Sequence, residues 1–116
     1  MSVDLSRWAG PCEAMFEHLA AEAPQALFDM IESGTLHHCT LTFAAEWAGK
    51  VPEEHLESAR RVLFPLLDHA QPVVREGAVY GLASNLNEDV IKRLKALAES
   101  DPSPGVRTAA ESAIDE

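Results

Sequence analysis

The chain has 116 residues, with 9 basic against 19 acidic side chains for a net charge of -10, so it fits one domain able to bury its own core and its field repels the phosphates of nucleic acid. Two cysteines, Cys12 and Cys39, are too few and too far apart for a disulfide framework, which points to a reducing, cytoplasmic setting. No segment approaches the ~20 apolar residues of a membrane span, and the N-terminus lacks the apolar core of a signal peptide.

Prolines and glycines at 10–11, 24, 34, 49 and 52, 72, 102 and 104–105 punctuate stretches whose apolar positions follow the helical period, and strand alternation is absent. The first stretch predicts a lead-in helix over about 11–21, within an N-terminal cap spanning 1–23. Helices over 24–33 and 36–48, 53–68 and 73–84, and 88–100 and 105–115 follow, as pairs covering 24–49, 53–84 and 88–116. Pro24 and Pro52 suit a first helical turn, and Asn87 before Glu88 and Asp89 suits an N-cap with a dipole-matched first turn. Glu53, Glu54 and Glu57 likewise read as helix-start acids rather than acid–base catalysts.

The run His37-His38-Cys39 offers imidazole and thiolate, both soft metal ligands. Three consecutive helical residues point about 100° apart, however, and are not expected to converge on one ion or to pair Cys39 with a base. No phosphate-binding glycine loop, nucleophile elbow or EF-hand pattern occurs. Neither an enzyme, a metal nor a cofactor is expected. The basic clusters Arg60-Arg61 and Lys92-Arg93-Lys95 share their helices with Glu54 and Glu57 or with Glu88 and Glu99, and read as two solvated faces.

The stretch "QPVVREGAVYGLA", residues 71–83, places Gly77 and Gly81 inside a helix, where each costs roughly 1 kcal/mol relative to alanine. A repeat accounts for them. Leu63 and Leu66 match Leu94 and Leu97; after one extra residue, Pro72, Val74, Arg75, Ala78 and Leu82 match Pro104, Val106, Arg107, Ala110 and Ile114, a period of 31 to 32 residues. The apolar stripe of each second helix lies beside small residues, Gly77 and Gly81 or Ala109 and Ala113. Such helices bury themselves only by close stacking on neighbours.

The segments "DHAQPVVREGA" and "DPSPGVRTAA" resemble HEAT-like repeats of the short variety found in phycobilisome lyases. The likeness covers 53–116, weakens over 24–49, where Pro-Val-Arg is missing and the register stays open by a few residues, and is absent from 1–23. It implies an all-α fold, a short right-handed α-solenoid of about three helical hairpins with an N-terminal capping helix. It also implies an arginine ladder, with Arg75 and Arg107 structural and Asp68 and Asp101 as their acids.

In such an array the second helices line the concave face. With Val74, Ala78 and Leu82 inward, Glu76 and Tyr80 face out, matched by Thr108 and Ser112 in the next repeat and, at an offset near 34, by Thr42 and Glu46 with Trp47 beside them, Trp47 being either exposed or core. An acidic strip bearing aromatics suits a basic protein or peptide. The expected function is a non-catalytic protein-binding module, in a specific version an inhibitor or immunity-type partner of a basic effector; oligomeric state stays open. An alternative implied only by the resemblance is a chromophore-lyase-like or maturation factor holding a tetrapyrrole, while a DNA glycosylase-like repeat protein is opposed by the charge.

Overall fold

Helix starts follow the local chemistry. Pro24, Pro72 and Pro104 open their helices, where the missing N–H has no intrahelical partner to lose. Asn87 caps another, its Oδ1 accepting from the Val90 N–H at 2.8 Å with Glu88 and Asp89 in the first turn. The computed structural model describes the backbone of residues 5–115 and the side chains of 13–115. Residues 1–4 and 116, at the ends of the expected cap and last pair, and the side chain of Cys12 lie outside the described residues. Within them the chain forms α1 (Leu5–Glu22), α2 (Pro24–Glu32), α3 (His38–Ala48), α4 (Leu56–Leu63), α5 (Pro72–Leu82), α6 (Glu88–Ser100) and α7 (Pro104–Asp115), with no strand.

Two expected boundaries are corrected. The lead-in helix starts at Leu5 rather than near 11 and runs through Gly10 and Pro11; a proline deletes one hydrogen bond to the residue four back, which an 18-residue helix survives. The helix expected over 53–68 is three pieces: a 3₁₀ turn over Glu53–His55, α4, and a 3₁₀ segment over Phe64–Asp68. Pro65 has no N–H to give the Arg61 carbonyl, so the α pattern stops just before it.

The helices form two layers. Helices α1, α3, α5 and α7 stack side by side, α3 and α5 most intimately, while α2, α4 with its 3₁₀ extension, and α6 cover one side of that stack. The core between them is apolar and fully enclosed, with Phe16, Leu27, Phe28, Leu63, Leu67 and Leu94 among its largest side chains. In the second layer α2 touches α4, but α4 and α6 do not pack closely on one another.

Glycines 77 and 81 sit where α5 meets α3. A Cβ on Gly81 would collide with the Ala45 carbonyl oxygen and lie 2.9 Å from the Leu63 side chain; one on Gly77 would collide with Thr42, 2.8 Å from its carbonyl oxygen. Gly49 lies against the Gly81 backbone in the same way. The two helices meet backbone to backbone, and the lost helix propensity is exchanged for that approach.

Burial also settles the register left open in the first pair. Leu41, Ala44, Ala45 and Ala48 of α3 are buried in the pattern of Val74, Gly77, Ala78 and Gly81 of α5 and of Val106, Ala109, Ala110 and Ala113 of α7, steps of 33 and then 32 residues. The offset near 34 is therefore corrected by one. Thr42 does not face out: it is 8% exposed, held against Gly77, and its hydroxyl donates to the Val73 carbonyl.

Candidate functional site

The repeat turns are tied by arginine. Arg75 forks onto Asp101 of the following turn, Nε to Oδ2 at 2.9 Å and Nη2 to Oδ1 at 3.0 Å, while its Nη1 donates to the carbonyls of His69 at 2.8 Å and Ala70 at 3.2 Å. Arg107 donates Nη1 to the Asp101 carbonyl at 2.6 Å. Both arginines thus hold the turn carbonyl six residues back, and Arg75 also reaches the carboxylate one repeat on.

Asp101 is almost wholly enclosed. Burial alone raises its carboxyl, but the Arg75 hydrogen bonds, the Ser103 N–H at 2.9 Å and the charges of Arg75 and Arg107 outweigh burial and hold it below the ordinary carboxylate value. Asp68 is not a ladder acid. It is the last residue of the 3₁₀ segment, exposed, and pairs with Arg93 of α6. The residue in the ladder position is His69, 32 residues before Asp101, with nearly the same backbone angles (φ -63°, ψ 146° against φ -64°, ψ 135°). Its Nδ1 accepts from the Gln71 N–H at 3.0 Å, as Asp101 Oδ1 accepts from Ser103.

The outward face of α1, α3, α5 and α7 carries the expected strip, in corrected register. Phe43, Glu76 and Thr108 occupy one row and Trp47, Tyr80 and Ser112 the next. Tyr80 is 49% exposed and donates its hydroxyl to Glu76 Oε1 at 3.2 Å; Thr108 and Ser112 are exposed. Glu46 is half-buried beside this row, and α1 contributes Glu13 to the same neighbourhood. Burial, then the Glu13 charge, push the Glu46 carboxyl up; Lys50 opposes them and Glu76 adds to them. Burial, then the Glu76 charge and hydrogen bond and the Glu46 charge, push the Tyr80 phenol up in turn. Trp47 is neither fully core nor free: it packs on the core and holds the Lys50 ammonium 4.5 Å from its ring centroid.

Glu13 is the member sequence reasoning missed. Its helix carries no repeat signature, and only the stacking of α1 on α3 brings it to Glu46. The run His37-His38-Cys39 also departs from expectation. His37 is the extended N-cap of α3, so the 100° rule does not apply to it, and the ligand atoms of the three residues gather within 4.8 Å of one another. Its Nδ1 accepts the Cys39 N–H at 3.3 Å and its ring stacks on His38, centroids 4.1 Å apart.

Stacked antiparallel helical hairpins joined by a turn arginine define a helical-repeat protein. Residues 42–115 match the family model for HEAT repeats, and the chain belongs to that family. HEAT repeats generally mediate protein–protein interaction. No curated protein and no solved structure matches the chain. No helix among the described residues is long and apolar enough to cross a membrane.

Proposed function

We propose that the chain is a non-catalytic binding module that holds a basic protein or peptide on the face of α3, α5 and α7, with Glu46, Trp47, Glu76 and Tyr80 at the centre and Thr108 and Ser112 at the edge. The observation that carries this reading is the gathering of Glu13 and Glu76 about Glu46, with Glu46 and Glu76 beside the half-exposed Tyr80. Three acids crowd there, and among the described residues Lys50 acts on Glu46 against them. A guanidinium or ammonium from a partner relieves that crowding and gains an aromatic wall, the pairing that dominates interface hot spots. The net charge of -10 speeds encounter with such a partner. The same features suit an inhibitor or immunity-type protein acting on a basic effector.

The test is to identify the partner by capture from native lysate and measure both rate constants. Glu46→Lys with Glu76→Lys slows association, and Tyr80→Ala speeds dissociation by about 30-fold, the equivalent of about 2 kcal/mol. An affinity indifferent to all three substitutions sinks the proposal.

A further inference from the structure

The fold brings together cations that the sequence keeps about one repeat apart. Arg60 and Arg61 on α4 and Lys92 and Arg93 on α6 line one open groove of about 740 Å³, in the gap where these two helices fail to pack. The groove lies on the layer of first helices, away from the acidic face of α3, α5 and α7. Four cations against Glu57 and Asp89 make it locally basic in a strongly acidic protein.

The cations are not equivalent. Arg60 is engaged: Nε donates to the Asn85 carbonyl at 3.2 Å and Nη2 to Asn85 Oδ1 at 2.6 Å, and Asn85, buried, donates to the Leu56 carbonyl at 2.7 Å. Arg93 is shared with Asp68. Among the described residues Arg61 pairs with Glu57, 3.7 Å away with both side chains more than 70% exposed, a pairing water largely screens. Lys92 is exposed and makes no ion pair among the described residues. The apolar part of the lining is Phe64 and Pro65, at the break where α4 gives way to 3₁₀ geometry, with Val90 and Ala96 of α6, and Asn87 adds a polar group.

We propose that this groove docks an acidic amphipathic segment of a partner protein, whose apolar side chains settle on Phe64, Pro65 and Ala96 while its carboxylates meet Arg61 and Lys92. The charge of the rim selects the sign of the segment. The apolar part of the lining selects a polypeptide over a polyphosphate, which has nothing to bury there. The groove is open to solvent, so a helix can enter it without the protein rearranging.

The test uses the intact chain and fluorescein-labelled peptides of about 14 residues, roughly 20 Å as a helix. One has Leu and Phe at helical spacing among Glu and Asp; the second replaces the acids by Lys, the third replaces Leu and Phe by Ser. Anisotropy shows the acidic amphipathic peptide binding, and binding at least tenfold weaker for both other peptides. Arg61→Glu with Lys92→Glu weakens it at least tenfold with unchanged circular dichroism and melting temperature; Lys92→Glu alone also weakens it, while Lys95→Glu, the same single reversal on α6 outside the groove, leaves it within about twofold. The proposal is overturned by no binding of the acidic peptide at about 1 mM, by equal binding of the Lys or Ser peptide, by indifference to the double reversal, or by sedimentation showing that a second copy of the chain fills the groove instead.

Discussion

At Asp101 a buried carboxylate is kept ionised by an arginine fork and a backbone N–H, and the sign of its shift fixes how stability responds to acid. Its native pKa lies below the unfolded value of about 3.9, so the stabilisation is complete above that value and is lost as pH falls through the native one. Chemical denaturation of the natural chain and of Asp101→Asn at a series of pH values checks this. The gap between them is wide at pH 7 and closes below about pH 4. Arg75→Ala strands the enclosed Asp101 and costs about 3 kcal/mol, whereas Arg107→Ala, which loses a bond to a carbonyl, costs about 1 kcal/mol. Equal losses would show that the fork onto Asp101 contributes nothing beyond the turn carbonyl bonds. Glu46 works in the opposite sense: its carboxyl is raised, so its ionised form strains the fold at neutral pH and the strain fades on acidification. Glu46→Gln therefore raises the melting temperature at pH 7 and changes little near pH 4.

Between elements, the contact of α3 with α5 is set by what is missing from it. Gly77 and Gly81 let backbone meet backbone, and any Cβ there collides with the Thr42 or Ala45 carbonyl oxygen, which α3 cannot move without giving up its own helix. Gly77→Leu and Gly81→Leu each destabilise by about 1–3 kcal/mol despite the better helix propensity of leucine. At about 4 °C per kcal/mol the loss is plain in a thermal melt; a raised melting temperature for both would show the contact is not tight. The α4 break is the complementary case, where Pro65 dictates a change of helix type and the neighbouring Phe64 is left beside the gap rather than sealed under α6.

Over the whole molecule, acids are spread over both layers, but two local clusters of opposite sign stand apart. Glu13, Glu46 and Glu76 meet where α1, α3 and α5 stack, and Arg60, Arg61, Lys92 and Arg93 meet at the α4–α6 gap, inside a net charge of -10. The association rate with a basic partner should fall steeply from 0.01 M to 0.15 M salt, as the Debye length shrinks from about 30 Å to about 8 Å. Affinity should also weaken on acidification before ordinary carboxylates titrate, because Glu46 takes its proton at higher pH than they do. Stopped-flow association at two salt concentrations and two pH values measures both; a rate indifferent to salt removes the steering argument.

The repeated Pro-Val-Arg, the apolar period and the proline starts determined an all-α array of hairpins from sequence alone, because each acts within a turn or two of its own position. The pairing of Arg75 with a turn acid was legible in the same way, but which acid was not: Asp68 and His69 are neighbours in sequence, and only the end of the 3₁₀ segment decides that His69 takes the turn position while Asp68 swings out to Arg93. The outward placing of Glu76 and Tyr80 followed from helical geometry, whereas Thr42, one residue out of register, and Glu13, on a helix with no repeat signature, required the stacking of α1 on α3 and of α3 on α5. The basic groove was invisible for the same reason. Arg61 and Lys92 are each ordinary on their own helix, and they become one surface only because α4 and α6, held to the inner layer, leave a gap between them that no local pattern encodes.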